Sequence, residues 1–143
     1  MTVTVHGLSG NVFTTTVTAG RHRLAADEPV DLGGADTGIT PYDLLLASLG
    51  SCTVMTVRIY ARRRGYPLTG ATVTLSHDRI HAEDCANCET SVGFLDHITR
   101  EIALAGDLTP EQRADLMRIA DRCPVHRTLT SEIVIETAEV VAT

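Results

Sequence analysis

Four cysteines are the residues of this 143-residue chain whose type and spacing point to chemistry. Cys52 falls in the middle of a long uncharged stretch, and Cys123 stands beside Pro124 at the end of a second helical pattern. From position alone each reads as a small buried hydrophobe, because free cysteine is among the most buried residue types. The sharper reading is a thiol pair. If the two helices pack, a peroxide oxidises one thiolate to sulfenic acid and the other thiol resolves it as a disulfide. An apolar site raises a thiol pKa, so a peroxide-reactive Cys52 needs a cation to hold its thiolate. Arg21 and Arg23, which follow a turn in a β-rich region, are the candidate donors, and Asp43 is a candidate to orient a guanidinium by a bidentate contact. Read without that chemistry, both arginines are exposed hairpin residues.

A second constellation is His77-x3-His81-x3-Cys85-x2-Cys88. Two thiolates two residues apart, with histidines upstream, have the ligand chemistry of zinc. If the chain is extended from His77 to His81, the two imidazoles share a face but lie about 13 Å apart at roughly 3.3 Å per residue. A set of His81, Cys85 and Cys88, completed by His77, His97 or a partner chain, is easier to build. The same C-x2-C pair can equally close as a redox disulfide, a reserve or shuttle for the first pair. The ligand chemistry puts metal ahead of dithiol. His126, three residues after Cys123, either tunes that thiol or caps a helix end.

The elements that must position these residues are legible. Thr2 to His6 and Asn11 to Thr18 alternate Val or Phe with Thr and read as strands, and His22 to Ala26 reads as a third after the turn at Ala19-Gly20-Arg21. Asp27 to Thr40 holds Pro29, Gly33, Gly34, Gly38 and three Asp, which makes it a loop long enough to suspect of function. A helix opens at Thr40 as N-cap, with Pro41 first and Asp43 closing a capping box; Arg62, Arg63, Arg64, Gly65 and Pro67 end it. Apolar and small residues from Leu44 to Tyr60 surround its axis, which predicts a helix buried on most sides.

Ala71 to Ile80 alternates as a strand. Residues 93–104 form another, with Ile98, Ile102 and Leu104 on one face and Arg100 as a charged exception on that same face. Thr109-Pro110-Glu111-Gln112 is a full helix start, and Leu116, Ile119, Ala120 and Cys123 follow on one stripe. Pro124 stops that helix, and Thr130 to Val141 is predicted to finish as a strand. The order β-β-β-α-β-β-α-β is an α+β pattern, a largely antiparallel sheet with two helices, and residues 1–143 read as one domain. Leu44 to Tyr60 is more apolar helix than so small a chain covers alone, so a dimer is expected to bury it.

Composition removes other classes. A net charge of −6 and only three Tyr and two Phe leave neither a basic field nor stacking platforms for nucleic acid. The uncharged run from Leu44 to Val57 is too short for a bilayer span, and Met1-Thr-Val-Thr-Val-His is not a signal sequence. A cytoplasmic protein without membrane contact is expected. Thiols there stay reduced, which favours redox or metal use of the cysteines over a structural framework.

Gly33-Gly34, then Gly38-Ile39-Thr40-Pro41-Tyr42-Asp43-Leu44-Leu45-Leu46-Ala47-Ser48-Leu49-Gly50-Ser51-Cys52-Thr53, together with Arg122-Cys123-Pro124-Val125-His126-Arg127-Thr128-Leu129, resembles the OsmC/Ohr family of osmotically inducible and organic hydroperoxide resistance proteins. The resemblance runs from about Gly20 onward. It implies an α+β fold with two buried central helices, intertwined as a homodimer with two active sites at the interface. It further implies a thiol peroxidase that prefers organic hydroperoxides, in which Cys52 matches the peroxidatic and Cys123 the resolving cysteine. Gly20-Arg21 lies where the family carries its catalytic arginine, with Arg23 the alternative. A dithiol of the lipoyl type is the implied reductant, and no haem, flavin or metal is needed. Tyr42 stands where the Ohr branch has a glutamate that orients the arginine; Asp43 is one residue later, rotated by about 100° around the helix. Arg21, Tyr42, Leu45 and Leu49 are the expected substrate contacts. The competing reading keeps the fold but makes the chain a metal- or small-molecule-binding protein with weak or no peroxidase activity, using zinc at His81, Cys85, Cys88 and His77.

Overall fold

The computed structural model describes residues 1–7 and 9–141. It is an α+β arrangement with antiparallel sheets, as expected, although the described residues form two sheets and three helices where one sheet and two helices were predicted. The elements run β1 (Thr4–Gly7), β2 (Thr15–Ala19), β3 (His22–Ala26), α1 (Pro41–Arg64), β4 (Leu68–His81), β5 (Phe94–Gly106), α2 (Pro110–Ala120) and α3 (Pro124–Leu129), with short 3-10 turns at Val30–Leu32 and Ala82–Asp84. Contacts divide the chain into two compact units, residues 1–47 with 77–97 and residues 48–76 with 98 onward.

In the first unit β1, β2 and β3 form an antiparallel meander whose register pairs Val5 with Val17 and Val17 with Leu24. Ala19 pairs with His22, so Gly20 and Arg21 alone make the turn, and Gly20 takes the left-handed φ of +60° that a two-residue hairpin demands. The following loop is regular in its bonding although not in its shape. Asp27 is buried, and its carboxylate accepts from the Glu28 amide at 2.8 Å, the Ala35 amide at 3.3 Å, the Thr37 amide at 3.2 Å and hydroxyl at 2.6 Å, and the Thr14 hydroxyl at 3.0 Å. The Thr37 hydroxyl leads those bonds in holding Asp27 far below the usual carboxylate range. Gly34 and Gly38 are required by close approach: a Cβ would meet the Glu28 carbonyl oxygen at 1.9 Å and the Ala25 carbonyl oxygen at 2.1 Å.

The second unit is built on α1. Thr40 and Asp43 cap its start reciprocally, the Asp43 amide donating to Thr40 Oγ1 at 3.1 Å and the Thr40 amide to Asp43 Oδ2 at 3.0 Å. At its end the Tyr66 amide reaches the Ala61 carbonyl at 2.9 Å and the Gly65 amide the Arg62 carbonyl at 3.3 Å, with Gly65 at φ +68°. Within the chain only Leu49, Gly50, Thr53, Val57 and Ala61 of this helix are buried. That is one stripe at four-residue spacing, where the sequence predicted burial on most sides; Met55 and Ile59 face out at 62% and 52% exposure. With its flanking turns α1 reaches 24 residues, and its most apolar 18 average a mean hydropathy of 1.5, so by length and composition it is able to cross a bilayer, which the uncharged run alone is not. In the structure it is the helix on which the core is laid: Val57 and Ala61 pack with Leu108, Leu116 and Ala120, ringed by Tyr60, Tyr66, Leu68, Ile102 and Leu104.

α2 carries the expected capping box between Thr109 and Gln112. It ends at Ala120, however, and Cys123 is the N-cap of a new helix that Pro124 opens, because a proline that breaks one helix suits the first position of the next. The strand predicted over Thr130 to Val141 does not form among the described residues. Thr130 is the C-cap of α3, and residues 131–141 have no neighbouring strand among the described residues to supply a ladder. Ile133, Val134, Ile135, Val140 and Val141 are left exposed.

Candidate active site

The second unit brings Cys52 and Cys123 together. Cys52 sits half-buried in the middle of α1, and Cys123 is fully buried at the start of α3. Both are free thiols, close enough for each to shift the other's acidity. The Cys123 sulfur accepts the His126 amide at 3.4 Å, a side-chain cap for the first turn of α3. The two thiols are driven apart in acidity. Burial pushes Cys52 up, reinforced by the bond to Cys123 and by that neighbour's charge. Burial acts the same way on Cys123, but the Cys52 thiol, the His126 amide, the Thr53 hydroxyl and the Val125 amide together hold it below the ordinary thiol value.

Thr53, Arg100 and Asp121, to which the sequence assigns no role in this site, complete it together with His126. Thr53, fully buried, donates its hydroxyl to the Leu49 carbonyl at 2.7 Å. Arg100 of β5 reaches Thr53 Oγ1 at 3.0 Å and the Ala120 carbonyl at 3.4 Å through Nη1, and Asp121 Oδ1 at 2.6 Å and His126 Nδ1 at 3.3 Å through Nη2. The signal was present: Arg100 is the charge on the apolar face of β5, between Ile98 and Ile102. A guanidinium on such a face needs acceptors, and the end of α2 with α3 provides them.

Arg21 is exposed at the tip of the β2–β3 hairpin, and Arg23 is exposed two residues into the next strand. Asp43 is engaged in capping α1. Tyr42 and Leu45 lie on the first turns of α1 with 57% and 36% exposure, and Leu49 is buried one turn before Cys52. Neither of the two clefts described in this unit, of about 470 and 270 Å³, is lined by a cysteine.

The zinc set of His77, His81, Cys85 and Cys88 is not assembled. Cys85 and Cys88 are joined as a disulfide at the tip of the β4–β5 hairpin, their Cα atoms 5.6 Å apart. His77 bonds Asp96 at 3.0 Å and stacks on Tyr42 with ring centroids 4.6 Å apart, and His81 packs on Phe94 at 4.5 Å. Among the described residues no three His, Cys, Asp or Glu side chains converge to hold a metal. The strand spacing is the reason: with no bulge between them, His77 and His81 stay four residues apart along β4, and the thiols have each other. Of the two chemistries offered for C-x2-C, the structure holds the disulfide.

A model of OsmC-like proteins matches residues 33–138, a stretch that takes in both Cys52 and Cys123. The chain belongs to the OsmC-like protein family. No curated protein sequence matches it. Crystal structures share the OsmC fold across nearly the whole chain. The organic hydroperoxide resistance protein OsmC of Legionella pneumophila is 22% identical, with a TM-score of 0.63 over 90% of this chain and 88% of the other. An OsmC-like protein of Mycoplasma pneumoniae is 18% identical, with a TM-score of 0.69 over 90% and 85%. The organic hydroperoxide resistance protein OhrB of Bacillus subtilis is 20% identical, with a TM-score of 0.61 over 90% and 89%. At these identities the likeness establishes the OsmC fold.

Proposed function

We propose that this OsmC-like protein is a thiol-dependent peroxidase that reduces organic hydroperoxides. The observation that carries the reading is a pair of neighbouring free thiols of unequal access, Cys52 half-buried and Cys123 buried. Membership of a family whose relatives include organic hydroperoxide resistance proteins supports it.

The pair starts as a Cys52 thiol bonded to a Cys123 thiolate. As Cys52 attacks the hydroxyl oxygen of the hydroperoxide, its proton passes to Cys123. The O–O bond breaks, Cys52 becomes a sulfenic acid, and the alkoxide leaves. That alkoxide takes up a proton, supplied by Cys123 directly or through water, to become the alcohol. The Cys123 thiolate then attacks the Cys52 sulfenic sulfur, forming the disulfide and releasing hydroxide. One thiol, one thiolate and one hydroperoxide thus give one disulfide, one alcohol and one hydroxide, which takes up the proton Cys123 lost on ionising to become water, and a dithiol of the lipoyl type restores the pair by exchange. Two sulfurs carry the whole cycle, so no metal, flavin or haem is required by it. Arg21 is the family's candidate for holding the peroxide, with Tyr42, Leu45 and Leu49 as the apolar contacts to the alkyl group.

The protein acts as a cytoplasmic homodimer in this reading. Exposed Tyr42, Met55 and Ile59 on α1 and the apolar residues between Ile133 and Val141 support a second copy as their cover. Consumption of an alkyl hydroperoxide in the presence of a dithiol tests the reading: wild type turns over, Cys52→Ser is inactive while keeping its fold, and a Cys52→Ser variant that turns over as fast as wild type refutes it.

A further inference from the structure

The peroxide chemistry above leaves Arg100 without a task. Its side chain is 11% exposed, on a strand face otherwise formed by Ile98, Ile102 and Leu104. A guanidinium withdrawn from water is tolerated only where its N–H groups find acceptors, and here the acceptors come from every segment around the thiol pair. Thr53 is the neighbour of Cys52 on α1; Ala120 and Asp121 lead into Cys123; His126 is the residue whose amide caps the Cys123 sulfur.

We propose that Arg100 is a positioning residue for the thiol pair: through Thr53, Ala120, Asp121 and His126 it ties the segments carrying Cys52 and Cys123 into the geometry from which their disulfide forms. The inference rests on the peroxidase reading for its purpose but on these contacts for its substance. Arg100 Nη1 occupies a lone pair of Thr53 Oγ1, so the one hydroxyl hydrogen points either to the Leu49 carbonyl, as seen, or to a Cys123 thiolate. Arg100 Nη2 lies 3.3 Å from His126 Nδ1, and because a guanidinium only donates, that ring nitrogen is the acceptor. Beside the two thiols, the charged and titratable groups in this network are Arg100 from β5, Asp121 at 2.6 Å from Arg100, and His126 from α3. A residue that only fills space on β5 leaves the ionisation of Cys123 unmoved; a residue that sets the Thr53 hydroxyl and the α3 cap does not.

The test reads Cys123 without any peroxide. In a Cys52→Ser background Cys123 is the one free thiol, and its thiolate absorbance is followed against pH for the parent, Arg100→Met, Arg100→Lys and Thr53→Val. In the parent with both thiols, closing of the Cys52–Cys123 disulfide is timed with a small aromatic disulfide as oxidant. Arg100→Met is expected to move the absorbance half-point upward by about one pH unit or more and to slow closing by about tenfold, the scale of one lost charge-assisted contact. Thr53→Val moves both in the same direction, and Arg100→Lys recovers part of each. If Arg100→Met does not fold, Thr53→Val and Arg100→Lys carry the test. An unchanged half-point, or an unchanged closing rate, in the folded variants overturns the proposal. Absence of hydroperoxide turnover in the parent overturns the peroxidase reading and leaves this result standing.

Discussion

Leu116→Ala is the substitution whose cost the structure defines best. Leu116 is fully buried, and its walls are Val57 and Ala61 of α1, Leu108, and Ala120 of its own helix. Most of these neighbours are small or held by helix backbone, so the space left by three lost carbons cannot close. Leucine-to-alanine changes in enclosed cores cost roughly 2.7–5 kcal/mol, rising with the residual cavity, and this site belongs in the upper half, at about 4 kcal/mol. With a urea dependence of about 2 kcal/mol per molar, the unfolding midpoint falls by roughly 2 M. Met117, the next residue, is 44% exposed and provides the control; Met117→Ala is expected to cost under about 1 kcal/mol. Equilibrium urea unfolding followed by circular dichroism measures both. A Leu116→Ala loss no larger than that of Met117→Ala refutes the placement of the core between α1 and α2, and with it the support that brings Cys123 to Cys52.

Two further outcomes follow from the electrostatics. Arg118 first, then the hydroxyls of Tyr66 and Tyr60, each 2.8 Å from Asp115 Oδ2, hold the Asp115 carboxyl down to about 2. A depressed folded-state pKa contributes stability above the ordinary carboxylate value near 3.9 and loses it as pH falls through the folded value. Acid unfolding of wild type is therefore expected to steepen between about pH 4 and pH 2, and Asp115→Asn, measured by the same titration, to flatten over that window. Separately, burial raises Cys52 most and the neighbouring Cys123 adds to it, so Cys123→Ser is expected to make Cys52 more acidic although its partner thiol is gone. The pH dependence of alkylation at Cys52, monitored by mass, checks this; a shift to higher pH contradicts the proton-sharing arrangement.

The helix boundaries were legible because each rests on local chemistry. Thr40 with Asp43, Thr109 with Gln112, and Gly65 after three arginines are signals that need no partner, and all three hold in the structure. Strand β3 was legible to the residue, since a two-residue turn at Gly20 sets its register. What failed depended on distant groups. Thr130 to Val141 has strand alternation, but a strand forms only where a neighbour offers its backbone, and among the described residues neither sheet does. The break at Pro124 was visible; that the same proline opens α3 with Cys123 as its cap depended on where the chain was going next. Cys85 and Cys88 had two chemistries on equal spacing, and pairing decided between them. Arg100 stood out as an anomaly on its strand, yet only the folded arrangement puts its guanidinium against Thr53, Asp121 and His126.

The most direct measurement of the central claim is to reduce the protein, expose it to one equivalent of an alkyl hydroperoxide, and map its disulfides by mass spectrometry. Rapid formation of a Cys52–Cys123 bridge, with alcohol released in equal amount, is the predicted result. Cys52 and Cys123 remaining as thiols while the hydroperoxide persists, or only Cys85 and Cys88 becoming bridged, contradicts it.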